Sequence, residues 1–155
     1  MTKPAQTKAK MNQTILAEYQ RTRRGLSYPA KWALIYAKQW ARIKELEADP
    51  ELTIEIIANQ DGSSVRGNAI ASGDDDTDKR IEDEIIERLD RGDVWAWALV
   101  EVRVSKGGLT ESDYLGGCSY RDEKGFKRGG YYYDMIARCL ETINAESKET
   151  ECAIT

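Results

Sequence analysis

Histidine is missing from this 155-residue chain altogether. Its absence removes Ser-His-Asp and Cys-His nucleophilic catalysis, and with them every His-bearing zinc site. Cysteine is sparse as well. Cys118, Cys139 and Cys152 form an odd, scattered set, which argues against a disulfide framework and cannot build a four-cysteine zinc site within one chain. A reducing cytoplasm is the expected compartment. Long apolar runs are lacking: the longest uncharged one, Val94 to Val100, falls far short of the ~20 residues that a bilayer demands. The N-terminal lysines are followed by no apolar segment, so neither a secretory leader nor a membrane is expected. The glycine pairs Gly116-Gly117 and Gly129-Gly130 lack the spacing and the Lys-Ser/Thr ending of phosphate-binding loops. No cofactor and no metal are expected.

What is present fits a soluble globular protein. Hydrophobic residues make up 41% and charged residues 32%, which is ordinary for that class. The length suggests one domain with a respectable core. The net charge of -4 conceals an asymmetry. Residues 1–48 carry ten Lys/Arg against three Glu, whereas residues 49–155 carry thirteen Lys/Arg against twenty-four Asp/Glu. A basic leading section on an acidic body points to nucleic-acid contact or to self-association as a homodimer. The plainer account is a solvated arm followed by a basic helix face.

Hydrophobic periodicity places the elements. Asp93 to Ser105 reads as the central strand: Val94, Ala96, Ala98, Val100, Val102 and Val104 give one apolar face, while Trp95, Trp97 and Leu99 precede Glu101 and Arg103 on the other. Residues 1–10 are polar and lysine-rich, which predicts a disordered basic tail. A helix is expected over residues 11–24, with Gly25 as its stop. A second runs from the Ser27-Tyr28-Pro29 start to Ala48, before Pro50. Its stripe of Trp32, Ile35, Tyr36, Trp40, Ile43 and Leu46 is expected to pack on the sheet; a partner-binding helix is the sharper reading. Leu52 to Ala58 and Val65 to Ala71 suggest a hairpin, with Gly67 at a bulge. A helix follows the acidic stretch Ser72–Asp78 and ends at Asp90; a short strand is expected over Tyr114–Tyr120, and a last helix from Gly129-Gly130 to about Ala145. The expected fold is therefore α+β: two N-terminal helices, then a β-β-α-β-β-α body with a mostly antiparallel sheet and helices on one face. The expected domain covers residues 11–146, with a frayed tail over 147–155.

Chemistry-bearing residues concentrate between Asp113 and Asp134. Asp113, Tyr114, Tyr120, Arg121, Tyr131 and Tyr132 share this segment with two glycine pairs, Gly116-Gly117 and Gly129-Gly130, and tyrosine offers area and a hydrogen bond at low entropic cost. They are expected to contact a protein partner, together with Asp75, Asp76, Glu82 and Glu87 of the acidic helix; the plainer account is turns and core. Cys118 as a nucleophile would need a base or cation beside it, and only Arg121 is near in sequence. Asp74, Asp76 and Asp78 depart from the calcium-loop pattern because Lys79 stands where glycine is required. An alternative set, Arg21, Arg23, Arg24, Lys31, Lys38 and Arg42, interleaved with Trp32 and Trp40, would suit nucleic acid. A further possibility is that the acidic surface imitates a phosphate backbone.

The runs Val94-Trp95-Ala96-Trp97-Ala98, Asp113-Tyr114-Leu115-Gly116-Gly117-Cys118-Ser119-Tyr120 and Gly129-Gly130-Tyr131-Tyr132-Tyr133-Asp134-Met135 resemble uncharacterised small proteins of phages and prophages. That resemblance covers about the C-terminal half of the chain and brings no catalytic residue with it. It implies a context: such proteins often bind and block a host or defence protein, anti-CRISPR proteins among them. The expected function is a non-catalytic protein-interaction module that inhibits a host defence or nucleic-acid-processing complex in the bacterial cytoplasm. Nucleic-acid binding through the basic helices is the alternative, and a small enzyme without histidine chemistry the third.

Overall fold

A computed structural model describes residues 28–154, with side chains from Lys31 onward. The tail expected over 1–10, the helix expected over 11–24, and Arg21, Arg23 and Arg24 lie outside the described residues. Helix α1 spans Tyr28–Ala48. It ends where expected, because proline disfavours helical geometry in the residue before it; Asp49 N–H closes the last turn on Leu46 O at 3.3 Å. Strands β1 (Leu52–Gln60), β2 (Ala98–Lys106) and β3 (Leu109–Cys118) form an antiparallel sheet in the order β1-β2-β3. Helix α2 covers Asp75–Asp90, the short α3 Glu123–Arg128, and α4 Tyr131–Ile154.

This corrects the expected β-β-α-β-β-α body. Three strands are present among the described residues, and one helix precedes them. Val65 to Ala71 is not a strand. Asn68 and Ala69 both donate backbone N–H to Val65 O, at 3.2 and 3.1 Å, so the segment turns. Gly67 has φ of +79° and marks no bulge; its N–H donates to Glu82 at 2.6 Å. Val65 is buried as an isolated anchor rather than as one face of a strand.

The central strand also starts later than expected. Val94–Ala96 is a 3-10 turn. Asp93 accepts the Trp95 N–H on its side chain at 3.1 Å and the Ala96 N–H on its carbonyl at 3.1 Å. The Asp93 side chain and carbonyl thus each capture a backbone N–H that the ladder needs. From Ala98 the alternation holds: Ala98, Val100, Val102 and Val104 are fully buried, while the intervening residues are partly open. Each buried valine contributes about 1.5–3 kcal/mol relative to exposure. Gly107 and Gly108, at φ +58° and +79°, form a two-residue hairpin loop that requires left-handed backbone at both positions. Strand β3 therefore begins at Leu109, well before the expected Tyr114. Helix α4 continues to Ile154, through the residues read as a tail, and every described residue from Asn144 on is exposed.

The chain divides into two compact units. The first holds the described residues up to Glu55, Val102–Asp113 and those from Lys127 on; the second holds Ile56–Glu101 and Tyr114–Phe126. In the first, Ile35, Ile43 and Leu46 of α1 are buried, as are Tyr132, Met135, Ile136, Cys139 and Ile143 of α4. In the second, Val65, Ile85, Ala96 and Trp97 make the core, with Ala69, Ile81, Ile86 and Leu89 packed on it. Phe126 is fully buried there, its ring 5.7 Å from Trp95 and 5.4 Å from Tyr120. No helix of the described residues is long and apolar enough to cross a membrane.

Asp61 ties strand ends together within the second unit. Its carboxylate accepts the Ser63 N–H at 2.8 Å and the Gly117 N–H at 2.7 Å. These backbone donors, Ser63 first, hold its carboxyl below the usual range, because hydrogen bonds to the ionised form favour it. A carboxyl depressed on folding stabilises above its unfolded pKa of about 3.9, and that stability disappears as pH falls through the lower folded value. Wild-type protein is expected to be more stable than Asp61→Asn at neutral pH, with the gap closing in acid; urea midpoints measured from pH 7 down to pH 2 check this.

Candidate functional site

Helix α1 does not bury its aromatic seam. Its inner stripe is Ile35, Gln39, Ile43 and Leu46, at spacings of three and four. Trp32 and Tyr36 stand on the open side, 41% and 43% exposed, their ring centroids 5.9 Å apart. The reason lies at the junction of α3 and α4. Gly130 has φ of +89°, which only glycine adopts readily. A Cβ on it would come 3.3 Å from Tyr36 Cε1 and 3.7 Å from Gln39 Oε1. The backbone of the junction thus lies close to Tyr36 and Gln39.

Two adjoining cavities result, both within the first unit. One, of about 360 Å³, is lined by Trp32, Ile35, Tyr36, Gln39, Gly130, Tyr131 and Asp134, among others. The second, of about 290 Å³, is lined by Tyr36, Gln39, Trp40, Ile43, Lys127 and Arg128, among others. They share Tyr36, Gln39 and Gly130, so they form one groove beside α1, following Trp32 to Ile43 for about 16 Å at 1.5 Å per residue. Tyr131 is 51% exposed at its rim. The cations sit at one end. Arg128 lies over the Trp40 ring at 5.0 Å, and Lys44 approaches the same ring at 5.2 Å. Lys127 pairs with Glu47 at 2.9 Å. Gln39 is the polar group at the centre: it is 7% exposed, and its Oε1 accepts no hydrogen bond.

The residues expected from sequence to meet a partner fall in both units, and several are occupied internally. Tyr132 is 1% exposed and donates its hydroxyl to Glu47 at 2.8 Å. Glu82 is buried, accepting the Gly67 N–H. Asp113 pairs with Arg138 at 2.7 Å. Tyr120 is half-buried, edge-on to Phe126. Asp75, Asp76, Glu87 and Arg121 are exposed, and Tyr114 is 59% exposed. Of that set, Tyr131 belongs to the groove. Of the basic set, Lys31 is exposed, Lys38 half-buried, and Arg42 paired with Glu45 at 3.0 Å. Sequence reasoning passed over Gln39 and Arg128, and took Gly130 only as part of a glycine pair opening the last helix; a glutamine in an otherwise apolar i, i+4 stripe was the available signal.

Cys118 and Cys139 are buried, and burial pushes their thiols up to about 11 and about 12, with Asp61 adding to the first and Asp113 to the second. Both therefore stay protonated near neutrality, the opposite of an activated thiolate. Native protein should release one equivalent of thionitrobenzoate rapidly, from exposed Cys152, and three after denaturation; fast release of two or three would contradict the packing. Among the described residues, no group of three or more Cys, Asp or Glu is arranged to hold a metal ion. The acidic residues before α2 serve locally: Asp74 accepts from Asp76 N–H at 3.1 Å and from the Thr77 hydroxyl at 2.8 Å, and Asp78 accepts the Ser72 N–H at 3.1 Å. Comparison with known proteins finds no match to this chain, whether among family models, curated proteins or solved structures.

Proposed function

We propose that this protein is a non-catalytic interaction module whose contact site is the groove beside α1. The observation that carries the reading is a buried, unpartnered Gln39 carbonyl at the centre of a concave surface with exposed Trp32, Tyr36 and Tyr131. Aromatic anchors on a pocketed surface are what binding hot spots are made of. The finer reading, resting on the resemblance to small phage proteins, is an inhibitor of a host defence or nucleic-acid-processing complex. Nucleic-acid binding is the second reading. It draws support from the exposure of Trp32 and Tyr36 near Lys31, but the pairing of Arg42 with Glu45 and of Lys127 with Glu47 removes cations that phosphates would need.

Capture from bacterial lysate tests this when it is run with variants. Wild-type protein and Tyr114→Ala should retain the same host protein in fixed ratio, while Trp32→Ala with Tyr131→Ala should lose at least about 90% of it, since two hot-spot truncations of about 2 kcal/mol each weaken binding by far more than tenfold. Loss with Tyr114→Ala and retention by the groove variant would move the contact site to the sheet.

A further inference from the structure

We infer that the first cavity takes the guanidinium group of an arginine on the partner protein, which donates N–H groups to Gln39 Oε1 and to the Asp134 carboxylate among the rings of Trp32, Tyr36 and Tyr131. This rests on the reading of the groove as a partner-binding site and adds the side chain that the partner inserts. Gln39 is 7% exposed, and its Oε1 accepts no hydrogen bond. A buried acceptor without a donor is a standing penalty that disappears when a ligand supplies an N–H or O–H. Gln39 and Asp134 border the same space of about 360 Å³, so one occupant can reach both.

The walls favour a cation as the carrier of that donor. Among the described residues lining this cavity, Asp134 has the sole charged side chain. It stands in the first turn of α4, where its charge offsets the positive end of the helix dipole. Trp32, Tyr36 and Tyr131 border the same space, and the face of an aromatic ring attracts a cation within about 6 Å of its centroid. The cations of the adjoining cavity are engaged elsewhere: Lys127 pairs with Glu47 at 2.9 Å, and Arg128 lies over the Trp40 ring at 5.0 Å. A carboxylate and three ring faces thus reward a positive donor above a neutral one. The kind of cation follows from its shape. A quaternary ammonium has no N–H for Gln39. A lysine ammonium is compact and strongly hydrated, so it loses more on entering apolar walls. Guanidinium is planar, weakly hydrated, and presents five N–H groups in a fork. Its face can lie on a ring while its edge serves two acceptors. Arginine is also one of the residues that dominate interface hot spots.

The test is a titration of the full-length, 15N-labelled protein with the probe acetyl-Ala-Arg-Ala-amide. Its comparators carry citrulline, lysine or norleucine in place of the arginine, and agmatine supplies the guanidinium without a peptide. The probe is expected to shift the Gly129 and Gly130 amides and the Gln39 side-chain amide. Citrulline keeps planar N–H donors without the charge and should bind about tenfold more weakly, because charge-assisted hydrogen bonds are roughly twice as strong as neutral ones. The lysine peptide should bind at least about threefold more weakly, and the norleucine peptide should leave the amides unmoved. Gln39→Leu keeps the volume and removes the acceptor, which costs the fold little, and should weaken the probe about five- to tenfold. Asp134→Asn keeps Gln39 and should bring the arginine and citrulline peptides within about twofold of each other. Equal affinity for arginine and citrulline or norleucine in wild type overturns the inference while leaving the groove as a contact site. A lysine peptide that binds as tightly as the probe, or an undiminished affinity in Gln39→Leu, overturns it too. Tighter binding of agmatine than of the probe makes the ligand a small molecule rather than a partner's side chain, again overturning it. Without any probe, concentration-dependent shifts of these amides would make a second copy the occupant. Shifts caused by Arg21→Ala, Arg23→Ala and Arg24→Ala together would make it the chain's own leading segment. Either result overturns the inference. If no probe binds, the inference fails, and lysate capture with the groove variants then decides separately whether the groove reading survives.

Discussion

Replacing Trp97 by alanine is expected to destabilise the protein by about 3–5 kcal/mol, the range for emptying a buried aromatic site. Trp97 is 3% exposed and belongs to the core of the second unit with Val65, Ile85 and Ala96. Its ring covers Gly117, where a Cβ would stand 3.4 Å from Trp97 Cη2. Its Nε1–H donates to Ser63 O at 3.0 Å, so truncation leaves a cavity and also releases the turn that carries Val65. Trp97→Phe separates the two contributions. It refills most of the volume and loses the hydrogen bond, and should cost about 1–3 kcal/mol. Urea unfolding gives both values, and amide exchange at Asn68 and Ala69 should accelerate in each variant. A loss below about 1 kcal/mol for Trp97→Ala would mean that the indole does not occupy this core.

Tyr132→Ala and Tyr131→Ala should behave as opposites although the residues are neighbours. Tyr132 is enclosed: 1% exposed, hydroxyl to Glu47 at 2.8 Å, and Lys127 over its ring at 5.6 Å. Its truncation is expected to cost about 3–5 kcal/mol. Tyr132→Phe, which loses only the hydroxyl, should cost about 1 kcal/mol. Tyr131 is 51% exposed on the groove rim, and its truncation should leave stability within about 0.5 kcal/mol while weakening partner capture. Thermal and urea unfolding of the three variants decide the matter. Equal destabilisation by Tyr131→Ala and Tyr132→Ala would show that the groove rim is structural, which would remove Tyr131 from the proposed site.

The helix over 28–48 was legible because its signals are local: a proline in the first turn, apolar residues every three or four, and a second proline past the end. The acidic helix was legible for the same reason. Its start is set by Asp74 accepting N–H groups of its own first turn, and nothing distant is needed. Strand β2 was half legible. Alternation from Ala98 to Val104 survives as a buried face, but the same alternation over Val94–Trp97 was misleading, since Asp93 gathers Trp95 and Ala96 N–H groups into a turn. The Gly107-Gly108 pair was in plain view, yet the strand was expected from Tyr114, five residues after its observed start at Leu109. Val65 to Ala71 has strand composition, yet its backbone turns on Val65 O and it lends Val65 and Ala69 to a core.

The absence of histidine determined, without any fold, which catalytic schemes were out of reach, because those schemes depend on a titrating group that no other side chain supplies near neutrality. Sequence periodicity likewise determined that α1 is a helix with one broad apolar and aromatic stripe. Which part of that stripe turned inward was decided only by tertiary structure. Gly130 lets the start of α4 approach α1 closely, Ile35, Gln39, Ile43 and Leu46 go inside, and Trp32 and Tyr36 are left to face a groove. A helix records in its own sequence that it has a face to bury, but the volume and position of what packs against it select the face.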